Sequence, residues 1–332
     1  MPTRKLLLKY ILLLSIALIW GSQFMLNKII LRDFTPTGLT FFRAFLGYIS
    51  LCALSFYIYK TNKNKNKNKT ERYGLKIKPN LNYFLILFLI AFLEATLPFY
   101  LISYGQLAVP SSITAVIMAS IALFTLILTR LFIRHEPISK LKLFGIISGF
   151  FGVFILFSPS LLGFFSGTHI DNFKLLLSEL AILTAAFCFS CSLILLRKYG
   201  QRKNDSPVLT AKTILGMASF QIGFLSLGLF LFNSLKNHHS ITQITSLLFV
   251  GHLPHLNSII SLLLLGLFAG GVVYILYIQL IRLAGTTFTG LTNYLVPFVG
   301  VILGSYLLGE AIGPTTWVAL GIILISLAAC EF

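Results

Sequence analysis

Gln106-Leu107-Ala108-Val109, an apolar run, Arg134-His135-Glu136 and a second apolar run carrying Gly145, Gly149 and Gly152 make up residues 106–157, and a similar pattern returns at 282–330. The second copy opens Arg282-Leu283-Ala284-Gly285, crosses an apolar run to Leu308-Gly309-Glu310, and enters another run that carries Gly321. Leu107 to Glu136 spans 29 positions and Leu283 to Glu310 spans 27; Pro297 has no proline counterpart in the first copy. Each copy reads as a hairpin of two membrane helices with a Glu near its tip, so the chain is expected to contain an internal repeat.

Outward from these hairpins the chain keeps the same character. Of its 332 residues 57% are hydrophobic and 11% charged, with a mean hydropathy of +0.90. That leaves too little polar surface to cover a soluble globule. The net charge of +17 raises nucleic acid as a partner, but phosphate binding needs Lys and Arg gathered on one folded face. Here they lie in short tracts between apolar runs, the pattern of cytoplasmic loops, and no nucleic-acid partner is expected.

A bilayer core about 30 Å thick needs roughly 20 helical residues per crossing. Ten segments qualify, at about 10–31, 37–59, 81–104, 111–130, 141–157, 173–196, 209–231, 256–281, 286–308 and 314–330. The fold class is therefore an all-α polytopic membrane protein of ten transmembrane helices, with one five-helix repeat over 1–160 and a second over 161–332. An odd number of helices per half makes the second half enter the membrane from the opposite side. Such inverted repeats are common in secondary transporters, with the substrate site near the midplane between them.

Orientation follows from the basic residues. With the N-terminus inside, 21 of the 26 Lys and Arg fall on inner segments; Lys28, Arg32, Lys174 and Lys236 fall outside, and Arg43 lies within the second helix. Both termini are expected to be cytoplasmic. The Asn-Lys alternation within 61–80 is low in complexity, charged and without apolar residues to drive folding, so it reads as a solvated cytoplasmic loop. Arg4, Lys5 and Lys9 before an apolar run imitate a signal peptide, but the run continues past Trp20 without a small-residue cleavage pattern, which reads as an uncleaved first helix.

No metal or cofactor is expected. Cys188 and Cys191 form a C-x-x-C inside an apolar run and read as packing residues. His238, His239, His252 and His255 fall in one outer loop, where nothing in their spacing demands a metal. An enzyme such as a membrane-embedded transferase would need clustered carboxylates, whereas the nine acids are scattered and no nucleotide loop, H-E-x-x-H or G-x-S-x-G is present.

Ionisable groups in hydrocarbon are costly and tend to face a cavity or a partner. Arg43 and Glu94 are the leading pair, read either as an ion pair locking two helices or as groups meeting a substrate carboxylate and an amine or proton. Trp20, Gln23 and Asn27, spaced three and four apart, lie along one helical face. Asn293 and Tyr294 precede Pro297, which is expected to kink its helix. These seven are the candidate substrate-binding residues; Gln221 and Gln279 are weaker ones, and Tyr100 and Tyr104 suit an interfacial belt. Glu179 is expected near the outer interface, and Glu136 and Glu310 as charges on the N-terminus of the helix that follows each. Gly145 with Gly149, Gly266 with Gly270, and Gly300 with Gly304 form small-x-x-x-small pairs that let helices approach closely or mark a dimer face, so the chain is read as a monomer or homodimer.

Trp20-Gly21-Ser22, Arg43, the starts at Leu107 and Leu283, and Glu136 and Glu310 together resemble the EamA-type branch of the drug/metabolite transporter superfamily. The resemblance implies a ten-helix permease of the bacterial inner membrane with a central cavity, moving amino acids, related metabolites or toxic compounds. The expected activity is secondary transport of amino acids or related metabolites by alternating access, coupled to protons or a counter-substrate. The alternative is import of S-adenosylmethionine or a similar metabolite by exchange, as some superfamily members in host-dependent bacteria do.

Overall fold

The computed structural model of the chain describes residues 2–63, 81–132, 140–165, 170–200, 207–237 and 248–331. Glu136, His238, His239 and most of the Asn-Lys tract lie outside them. Among the described residues, nine helices are long and apolar enough to cross a membrane: α1 Leu6–Ile30, α2 Pro36–Tyr57, α3 Leu81–Gly105, α4 Ser111–Phe132, α5 Lys140–Phe165, α6 Asn172–Tyr199, α7 Val208–Gly228, α8 Leu256–Gly285 and α9 Phe288–Leu308. A shorter apolar helix, α10, covers Pro314–Ala329. Helices meet the requirement that every backbone polar group in hydrocarbon be paired within its own segment. Their outer faces are apolar too: in α1, Ile16 is fully buried while Leu14 remains 59% exposed, the distribution expected of a side turned to lipid.

The sequence alone places the end of α5 at 157, before Ser158-Pro159, but the helix runs through Pro159 to Phe165. Proline supplies no N–H for the carbonyl four residues back, that of Ile155. The Ser158 hydroxyl donates to that carbonyl at 2.7 Å, so the break the proline threatened is repaired by the neighbouring side chain. Ser158→Ala is expected to lower thermal stability in detergent by about 1 kcal/mol, the cost of one unpaired, part-buried carbonyl. An unchanged unfolding curve would reject this role.

Among the described residues, other helices change winding, and the end of α6 at Leu196–Gly200 is π-helical. In α3 a π-helical turn at Phe92–Thr96 separates helical stretches Leu81–Ala91 and Leu97–Gly105, with the Leu97 N–H donating to the Phe92 carbonyl. Pro98 follows at once, so the carbonyl of Glu94 has no helical donor four residues ahead. In α8 the stretch Leu264–Val272 is π-helical.

The chain divides into two compact units. Unit 1 holds Met1–Ile29, Leu101–Cys191 and Ile275–Phe332; unit 2 holds Ile30–Tyr100 and Ser192–Tyr274. Within unit 1, α4 packs on α9 and α5 on α10, around Phe24, Ile117, Leu123, Leu156, Ile182 and Ile323. A Cβ at Gly300 would lie 2.5 Å from the Cβ of Ala115, and one at Gly149 would lie 2.6 Å from Leu123 and Ser326. Within unit 2, α2 packs on α7 through Ala44, Leu51, Leu215, Ala218 and Ile222, and on the π-helical part of α8. There the Ser50 hydroxyl donates to the Leu267 carbonyl at 3.1 Å.

The small-residue pairs of the sequence thus fall at helix contacts. A Cβ on Gly270 would stand 2.8 Å from the Cα of Gly47, backbone against backbone, with no flexible atom to give way. Gly270→Ala is expected to cost about 1–3 kcal/mol of stability, read as a lower unfolding temperature of the purified protein; a variant as stable as the parent would show that α2 and α8 need not approach so closely.

Candidate functional site

Among the seven candidate residues, Arg43 and Glu94 belong to unit 2, and Trp20, Gln23, Asn27, Asn293 and Tyr294 to unit 1.

In unit 2, Arg43 is buried on α2 with its guanidinium carbon 3.8 Å from the centre of the Phe99 ring on α3. The aromatic face offsets part of the cost of removing the charge from water. Glu94 sits in the π-turn of α3, and its carboxylate accepts a hydrogen bond from the Ser192 hydroxyl on α6. π-turns recur at functional sites because the extra residue re-aims a side chain that a regular helix would place elsewhere. Two residues on from Glu94, the Thr96 hydroxyl donates to Gln221, whose amide donates in turn to the Phe88 carbonyl at 2.8 Å. Gln221, a weaker candidate, therefore ties α7 to α3. Tyr100, and Tyr104 of unit 1, are exposed, as an interfacial belt requires.

In unit 1, the Trp20 ring lies 5.3 Å from that of Tyr277. Gln23 is half-buried. Asn27 is fully buried, and neither atom of its amide has a hydrogen-bond partner among the described residues. Asn293 is exposed, while the Tyr294 hydroxyl donates to the Leu327 carbonyl of α10 at 2.7 Å. The ninth-helix pair is thus split: one side chain is exposed and the other joins two helices.

Next to Asn27, Lys28 donates to the carbonyls of Gln106 and Val109, and the Gln106 amide donates to the Phe24 carbonyl at 2.9 Å. A cation at the carbonyl end of α3 is favoured by the helix dipole. Sequence reading gave these two residues no role. Glu310 is corrected: it caps α4 and not the helix that follows it. Its carboxylate accepts the N–H groups of Ser111 and Ser112 at 2.7 and 2.9 Å, satisfying two of the donors a helix N-terminus leaves unpaired. Glu310→Ala is expected to destabilise the protein by about 2 kcal/mol, with Glu310→Gln recovering part of the loss; equal stability of all three would dismiss the cap.

Glu179 is also corrected, being 2% exposed inside unit 1 and hydrogen-bonded to Ser160 of α5, not reaching an interface. Its helix is described from Ile170 onward, so Glu179 stands more than two turns inside. Cys188 is buried and Cys191 half-buried, both as free thiols.

At the connection from α1 to α2, the Asp33 carboxylate is buried and meets the loop before α8. Burial alone would raise its pKa, but hydrogen bonds from Ser258, the His255 ring and the His255 N–H outweigh it and hold the carboxyl at about 2.

The EamA-like transporter family model matches the chain over residues 7–158 and again over 176–330. The chain belongs to the EamA-like transporter family. Relatives agree: it is 27% identical over 331 residues to the uncharacterized inner membrane transporter YedA of Escherichia coli K12, covering 98% of this chain and 90% of that protein. It is 26% identical over 175 residues to the uncharacterized transporter YoaV of Bacillus subtilis, 52% of each chain. A solved crystal structure superposes with a TM-score of 0.57 over 99% of this chain and 97% of that one at 12% identity, a likeness of fold alone. As an EamA protein with nine apolar helices of spanning length among its described residues, the chain is a multi-pass inner membrane transporter. Both the helical polytopic fold and the family expected from Trp20, Arg43, Glu136 and Glu310 are borne out.

Proposed function

We propose that the chain is a secondary transporter of amino acids or related small metabolites, working by alternating access between two inverted repeats, 1–160 and 161–332, with both termini cytoplasmic. The observation that carries this reading is the pairing of helices five apart: α2 with α7, α4 with α9 and α5 with α10, each pair inside one unit. A pseudo-twofold axis in the membrane plane brings helix k against helix k+5 wherever the pair lies near the axis. Membership of the units supports the same relation. Unit 1 takes most of α1, α4 and α5 with most of α6, α9 and α10, and unit 2 takes α2 and most of α3 with α7 and most of α8. The double family match has the same period. In this reading α10 is the tenth crossing; its shortfall from the bilayer thickness is of the kind that local thinning accommodates.

Arg43 receives the substrate carboxylate, and Glu94 receives its amine or a coupling proton. Within unit 1, Trp20, Gln23, Asn27 and Asn293 are the further substrate-binding residues of this reading, and the unpartnered amide of Asn27 offers both a donor and an acceptor. Tyr294, whose hydroxyl holds α10, contributes its ring edge. The test is uptake by proteoliposomes of labelled amino acids and of labelled S-adenosylmethionine. Saturable entry of an amino acid supports the reading; exchange of S-adenosylmethionine alone transfers the site to nucleoside-bearing substrates.

A further inference from the structure

Asp33, His252 and His255 come together from two separate connections of unit 2, and their ligating atoms all lie within 4.8 Å of one another. We propose that these three side chains form a zinc-type divalent metal site on the face that the basic-residue distribution assigns to the outside, joining the start of α2 to the start of α8.

The backbone builds the site before any ion arrives. The Val250 N–H donates to the Asp33 carbonyl at 2.9 Å, the Thr35 N–H donates to the Leu248 carbonyl at 3.1 Å, and Phe34 and Phe249 form a bridge with their rings 5.1 Å apart. Gly251, at φ +76°, then takes the left-handed conformation that L side chains resist and turns the chain so that His252 follows beside Asp33. The acid is the fixed point. Its Oδ2 accepts the His255 N–H at 2.8 Å, while Oδ1 stands 2.9 Å from Nδ1 of His255 and 3.8 Å from Nε2 of His252.

Those separations suit a small tetrahedral ion. Bonds of about 2.0–2.1 Å at tetrahedral angles put ligand atoms roughly 3.3 Å apart, so shifts of a few tenths of an ångström to about an ångström in exposed imidazoles complete the geometry. The second ring nitrogen of His252, Nδ1, is 3.1 Å from the Leu253 carbonyl. As an N–H donor there it leaves the Nε2 lone pair directed to the metal, the outer hydrogen bond that metal-binding histidines commonly keep. The histidine side chains are 47% and 76% exposed, which leaves the fourth position open to water. Two imidazoles and one carboxylate favour zinc and its neighbours over calcium or magnesium, which prefer all-oxygen sets.

The alternative is that Asp33 merely fastens the loop to the first turn of α8. Equilibrium dialysis of tag-free protein in detergent against zinc, followed by metal analysis, separates the two. One zinc per chain is expected, with at least tenfold weaker binding in His252→Ala and in His255→Ala, unchanged binding in His238→Ala/His239→Ala, and no competition from a large excess of magnesium. Cobalt in place of zinc should give the visible absorption of a four-coordinate ion in the parent and not in His252→Ala/His255→Ala. His255→Ala also removes a hydrogen bond from the buried Asp33 carboxylate, so the metal-free double variant should unfold at a lower temperature than the parent and is assayed below it; metal uptake by the folded double variant equal to the parent's, or no stoichiometric uptake by the parent, overturns the site.

Discussion

Proteoliposomes carrying Arg43→Ala are expected to take up the amino-acid substrate at least tenfold more slowly than the parent, with the deficit in half-saturation at least as large as that in maximal rate. Removing one member of a buried charge pair costs about 2–5 kcal/mol, or roughly 30-fold to several thousandfold in affinity, and tenfold is the cautious floor. Arg43→Lys should fall between the two. Lysine restores the charge but neither the planar stack on Phe99 at 3.8 Å nor the forked donors that match a carboxylate. Stability separates this from a helix-locking role: if Arg43→Ala unfolds at a markedly lower temperature yet transports at the parental rate once folded, Arg43 holds α2 in place and does not meet substrate.

Glu94→Gln is expected to remove the response of uptake to an imposed pH gradient while leaving exchange between labelled and unlabelled substrate largely intact. Glutamine preserves the size of the side chain and an oxygen to accept from Ser192, so packing in the π-turn is retained and only the exchangeable proton is lost. A coupling carboxylate must load and release its proton during each cycle, which the amide cannot do. Uptake that follows the pH gradient equally in Glu94→Gln and the parent would take Glu94 out of that role.

Much of the architecture was legible because hydrocarbon allows few solutions. Runs of about 20 apolar residues between basic tracts specify helices of spanning length, and small residues four apart marked the contacts later found at Gly266, Gly270, Gly300 and Gly304. The α5 boundary failed at Pro159 because a proline reads as a stop unless its neighbour is known to serve the freed carbonyl, as Ser158 does. Glu310 was legible as a helix-capping charge but not as the cap of α4, since its partners lie 198 and 199 positions away. The π-turn around Glu94 had one sequence signal, Pro98 four residues on, which is compatible with a kink as well as with a turn of altered winding. Lys28 and Gln106 went unread for a related reason: their partners are backbone carbonyls, which carry no signature in sequence. Asp33 lies 222 positions from His255 along the chain, and the pairing of the backbone around Phe34 with that around Phe249 brings it to the two histidines.

Counterflow tests alternating access most directly. Proteoliposomes loaded with a high concentration of unlabelled substrate and diluted into a trace of the labelled compound should accumulate label transiently above its outside concentration, with a rate that saturates as the inside concentration rises. Label that enters without such an overshoot, at a rate indifferent to unlabelled substrate on the far side, would mean an open pathway and contradict two repeats rocking about one site.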